Sequence, residues 1–145
     1  MKKVLVFLVA GFVVIGSLTS CAQAIPYKQG DYISMDKENV AGGEGTIHFE
    51  YTFTRDMPPM ENPLREIAWV TLKPGVSLGF HKHEVNEEVY AFISGTGIFT
   101  ENDGSEIEVG PGDMTVTRLG QSHAVRNEGT EDLVFIAVIA GETPQ

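Results

Sequence analysis

From Thr46 to Ala140 apolar residues recur at every second position in short runs, and each run is closed by glycine, proline or an Asn/Asp pair. A period of two places alternate side chains on opposite faces of an extended strand, so these runs have the pattern of half-buried strands. The runs are Thr46–Thr54, Arg65–Lys73, Ser77–His83, Glu88–Ser94, Gly97–Glu101, Ser105–Val109, Met114–Leu119, His123–Arg126 and Leu133–Ala140. Prolines in Asp56–Pro63 and the pair Pro74-Gly75 break the pattern, and Asn102-Asp103-Gly104 suits a tight hairpin because these residues tolerate positive φ. No stretch after residue 24 has helical periodicity. Roughly eight to ten short strands without intervening helices predict an all-β, antiparallel sandwich or barrel.

A length of 145 residues allows one domain, and 42% hydrophobic with 21% charged residues is an ordinary globular balance. The net charge of −10 excludes the basic footprint of a nucleic-acid-binding protein. One cysteine, Cys21, rules out an internal disulfide and a multi-cysteine zinc site.

The position of Cys21 carries more information. Lys2 and Lys3 precede an apolar run from Val4 to Leu18, which is short against the roughly 20 residues of a membrane span and suits a signal-peptide core. The run ends Leu18-Thr19-Ser20-Cys21, which resembles a bacterial lipobox. The resemblance implies cleavage before Cys21 and acylation of its thiol, giving an exported protein held at the cell envelope by lipid. Ala22-Gln23-Ala24 offers the competing small-x-small site, which would release a soluble protein beginning at Ile25. The expected organisation is a signal peptide over 1–21, a polar tether over 22–45 and a β-domain over 46–141.

His81-Lys82-His83 is the sharpest local feature, since residues i and i+2 of a strand share a face and two imidazoles there can converge on one ion. Alone it is weak evidence. The wider spacing is more specific. Gly75, His81, His83, Glu88 and Gly95 stand at G-x5-H-x-H-x4-E-x6-G, and Gly112, Gly120, His123 and Asn127 follow as G-x5-P-x-G-x2-H-x3-N with Arg118 in place of the proline. In both motifs the chain resembles the cupin family, over about residues 65–140. The resemblance implies a single-domain jelly-roll barrel that holds one divalent transition metal on His81, His83, Glu88 and His123. Imidazole suits Mn, Fe, Ni, Co, Cu and Zn alike, so the donor set leaves the metal open.

Glu87 is the rival carboxylate, one residue out of register; if Glu88 faces inward, Glu87 must face outward. The same alternation turns Tyr90 and Phe92 inward and Trp69 outward, where a sheet–sheet dimer contact would suit it. His48 lies outside both motifs and reads as a surface or interface residue. Arg65 and Arg118 are candidate anion partners, with solvated arginine as the plainer reading.

Two functions from different classes remain open. One is a metal-dependent enzyme (isomerase, decarboxylase, lyase or dioxygenase) acting on a small organic acid, sugar or phenolic. The other is a non-catalytic envelope barrel that binds a ligand or metal. A homodimer is expected, no nucleic-acid partner is, and membrane contact depends on Cys21.

Mass spectrometry of the mature N-terminus checks the targeting reading. Acylated Cys21 is expected, with Cys21→Ser freeing the protein from membranes, whereas an unmodified N-terminus at Ile25 removes the lipoprotein and leaves export standing.

Overall fold

A computed structural model describes residues 24–57 and 62–141. The proposed signal sequence, its Cys21 and the Pro58 and Pro59 breakers lie outside the described residues.

Among the described residues ten strands form two antiparallel sheets: β1 (Ile33–Glu38), β2 (Thr46–Phe53), β3 (Leu64–Leu72), β4 (Ser77–Lys82), β5 (Asn86–Ser94), β6 (Gly97–Thr100), β7 (Glu106–Val109), β8 (Met114–Thr117), β9 (Ser122–Arg126) and β10 (Leu133–Gly141). The larger sheet has the order β1-β2-β3-β10-β5-β8 and the smaller β4-β9-β6-β7. This is the antiparallel sandwich expected from the strand pattern, in the jelly-roll form that the family resemblance implied.

Period-two alternation builds the core. Ile47, Phe49 and Tyr51 of β2, Ala68, Val70 and Leu72 of β3, Tyr90 and Phe92 of β5, and Leu133 and Phe135 of β10 all turn inward and are buried. They meet Phe99 and Val125 from the smaller sheet. Tyr90, Phe92 and Phe135 pack as a ring cluster, with centroids 4.4 Å apart for Tyr90–Phe135 and 5.4 Å for Phe92–Phe135. Trp69 is only partly buried, on the outer face. Asn102-Asp103-Gly104 makes the β6–β7 hairpin, where Gly104 takes φ 83° and Asp103 Oδ1 accepts from the Ser105 amide at 2.9 Å.

The structure differs from the sequence expectations in two places. First, residues 33–38, expected within a tether, form β1 and pair with β2 from Ile33↔Tyr51 to Glu38↔Thr46. Sequence alternation is faint there because β1 is an edge strand with mostly exposed side chains. Second, Arg65, expected in solvent, is 2% exposed. The β2–β3 and β3–β10 ladders both shift register near this end of β3, and Arg65 and Glu66 are buried side by side. A bulge lets two neighbours face inward where simple alternation would send one out.

Between β1 and β2 a short 3-10 turn, Val40–Gly42, lies against β4. The contact is backbone to backbone: a Cβ at Gly43 would run into the Ser77 carbonyl, and one at Gly79 into the Ala41 carbonyl. Gly43→Ala is therefore expected to cost about 1–3 kcal/mol by overpacking, against a change within about 0.5 kcal/mol for Gly110→Ala, where a Cβ has ordinary space. Urea unfolding of the two variants checks this.

Candidate metal centre

His81 and His123 stand directly opposite one another in the β4–β9 ladder, so their side chains leave the same face of the smaller sheet. His83 follows β4 at once, tied by its amide to the Gln121 carbonyl at 2.9 Å and by its carbonyl to the Gly120 amide at 2.6 Å. Glu88 comes from the larger sheet, on β5 opposite Thr117 of β8. The four residues named by the two sequence motifs thus meet between the sheets, with one donor atom from each lying within 4.8 Å of all the others.

The closest contacts involve three of them. His83 Nε2 is 3.0 Å from His123 Nε2, and Glu88 Oε2 lies 3.0 Å from His123 Nε2 and 3.3 Å from His83 Nε2. Hydrogen bonds on the far sides of the rings define two tautomers. His81 Nδ1–H donates to the Gly79 carbonyl at 2.9 Å, and His83 Nδ1–H to Asn86 Oδ1 at 2.7 Å. The Nε2 lone pairs of both rings are then free to face Glu88 and His123. His83, Glu88 and His123 are all buried. Acceptors brought this close repel unless a cation or proton stands among them. Donors about 2.1 Å from a shared ion stand roughly 3–4 Å apart, so the set could hold one divalent ion with little adjustment.

Without an ion, protons serve instead. Burial pushes the Glu88 carboxyl up, but hydrogen bonds from His123 and His83 outweigh it and hold the group down, from 4.5 to about 2. Burial opposes charging of His83, yet hydrogen bonds to Glu88 and Asn86 leave it above its usual 6.5. Burial is also the main reason that His81 falls below that value. Tyr90, fully buried and hydrogen-bonded to Glu88, is pushed well above the usual phenol range, chiefly by desolvation.

The centre opens into a cavity of about 480 Å³ whose wall includes Lys37, Tyr51, Arg55 and Glu66 as well as His81, His83 and Glu88. Of these, sequence reasoning singled out only the motif residues. Arg55 pairs with the buried Glu66 at 3.2 Å, and its carbonyl accepts a hydrogen bond from Arg65. Tyr90, turned inward as expected from sequence, also lines the cavity, whereas Glu87, Arg118 and His48 lie away from the centre. Glu87 faces out and pairs with the exposed Arg118 at 3.3 Å, and His48 pairs with Asp36 at 2.6 Å on the surface. Asn86 carried no sequence signal, since its role depends on the turn after His83.

Residues 68–139 match the family model described as Cupin domain. The chain is 38% identical over 101 residues to the oxalate-binding protein of Thermotoga maritima, covering 70% of this chain and 81% of that one. Among solved structures it resembles a "predicted oxalate decarboxylase" from Thermotoga maritima, with a TM-score of 0.73 and 32% identity over 81% of this chain and 99% of that one. KdgF from Halomonas sp. shares the fold at a TM-score of 0.65 and 16% identity, over 83% and 96% of the two chains.

The proton-held pair predicts how the metal-free protein responds to acid. A depressed carboxyl contributes stability that is complete above its unfolded value and is lost as pH falls through the folded one. Chelated protein is thus expected to lose resistance to urea as pH drops from 4.5 toward about 2. Glu88→Gln should flatten that part of the profile.

Proposed function

The chain belongs to the cupin family, and on that premise we propose that it is an exported barrel that binds a small organic acid at one divalent transition metal held by His81, His83, Glu88 and His123. The observation that carries this reading is the convergence of acceptor atoms on a buried point at the wall of an open cavity. Four protein donors leave a position free on an ion that takes five or six, and a carboxylate is a natural occupant. The ion would supply Lewis acidity and fixed positive charge. Around it, Asn86 and the Gly79 carbonyl orient two of the rings. The relative named as oxalate-binding supports an acid as the ligand.

Turnover is the second reading. The solved relative described as a "predicted oxalate decarboxylase" favours it. The engagement of Glu88 with histidines and of Glu66 with Arg55 weighs against it, because neither carboxylate is left to move a proton for a bound acid. Release of carbon dioxide from oxalate by the metal-loaded protein would decide for turnover.

Lys2, Lys3, the apolar run and Cys21 support export with a lipid anchor. Pairing of two copies belongs to the same proposal, and it draws support from the outer face of the larger sheet, where Ile93, Met114 and Val116 are exposed. Sedimentation of the purified protein as a monomer would remove it.

Elemental analysis tests the centre itself. About one transition-metal ion per barrel is expected, with His81→Ala, His123→Ala or Glu88→Gln lowering occupancy sharply and Glu87→Gln leaving it unchanged. Asn86→Ala should weaken affinity roughly 10- to 100-fold, the usual cost of losing the partner that orients a metal-binding histidine. Full occupancy in the Glu88 variant would overturn the assignment.

A further inference from the structure

We infer that Lys37 receives a second anionic group of the bound acid and so makes the site selective for short dianions over monocarboxylates. This rests on the acid-binding reading above and adds to it a ligand charge and a recognition residue.

The placement of Lys37 follows from register. It stands opposite Ile47 in the β1–β2 ladder, and directly opposed residues share a face. Ile47 is buried in the core, so Lys37 turns to the inner side. There its ammonium lies 5.0 Å from the Phe49 ring centroid and 4.9 Å from that of Tyr51, and it donates to the Tyr51 hydroxyl at 2.7 Å. The same group lines the cavity that contains the metal centre.

Of the two lysines on the cavity wall, Lys37 and Lys82, neither has a carboxylate partner among the described residues, and Lys37 is the one held in place by its neighbours. Arg55 has Glu66, Arg118 has Glu87, and Arg126 has both Glu106 and Glu128. Among the described residues no carboxylate pairs with Lys37, although the chain carries a net charge of −10. Two ring faces and one neutral hydroxyl hold a partly buried ammonium in place without neutralising it. A charge kept out of bulk water in this way favours an anion arriving from solution.

The charge balance of the cavity points to the same ligand. Its ionisable wall consists of Lys37, Arg55 and Lys82 against Glu66, Glu84 and Glu88, which cancel. A divalent ion on the histidines would leave two positive charges in excess. A dianion such as oxalate or malonate cancels them, whereas acetate or glycolate cancels one.

Isothermal titration of manganese-loaded protein with oxalate and with glycolate tests this, because both chelate a metal but differ by one charge. Wild type is expected to prefer oxalate. Lys37→Met should loosen oxalate roughly tenfold or more, as expected for losing a charge-assisted hydrogen bond, with glycolate affinity and metal content unchanged. Lys37→Arg should keep the preference. Lys37→Gln is run in parallel, so that a folding defect in the Met variant does not decide the matter. Loss of affinity for both acids alike, or for neither, overturns the role of Lys37. Failure of the wild type to take up manganese, or to bind either acid once loaded, overturns the acid-binding reading as well and is separable by its metal content.

Discussion

A carboxylate buried between two sheets imposes the strictest condition on this molecule. Glu88 is 7% exposed, and in that setting its charge is tolerable only if cations or hydrogen-bond donors surround it. The histidines meet that condition, and they do so from the opposite sheet. The site therefore exists only when the sandwich closes, and its geometry reports the packing of the whole barrel. The aromatic cluster beneath it serves the same end, with Tyr90 only 5.0 Å from His123 between ring centroids and Phe99 5.4 Å away. Packing on this scale leaves the imidazoles little rotational freedom, so their nitrogens are held ready before any ligand arrives.

The N-terminal part of the described chain completes the cavity. β1 adds an edge to the larger sheet, and the turn after it reaches across to β4 at Gly79. Gly79 has two duties there. Its bare Cα admits the Ala41 carbonyl, while its own carbonyl orients His81. The turn contains two non-glycine residues at positive φ, Asn39 at 51° and Ala41 at 53°. Such conformations cost free energy and persist where surrounding contacts hold them. Here the close backbone contact with β4 supplies the restraint, and it ties one wall of the cavity to a candidate metal ligand.

Family membership alone would leave the chemistry open, because one barrel can host unrelated reactions. Local charge favours the proposed acid ligand. A chain that is acidic overall has placed three basic side chains along one cavity and has committed Glu66 and Glu88 of its wall to arginine and to histidines.

The strand pattern and the facing of Glu88 against Glu87 were legible in sequence because each is a local periodicity, and the ligand set was legible through the resemblance of the two motifs to the cupin family. Alternation along one strand decides which neighbour turns inward, whatever the rest of the chain does. Tyr90, Phe92 and Trp69 took their expected sides for the same reason. Lys37, Arg65 and Asn86 were not legible. Lys37 faces the cavity because an edge strand with little alternation of its own adopts the register of β2. Arg65 is buried because ladders on both sides of β3 slip together, and Asn86 meets His83 only through the turn between their strands. The sequence by itself determined the fold class and the candidate donor atoms. Tertiary structure alone decided which charges share the cavity with them, since that depends on pairings between strands distant in the chain, which carry no period along it.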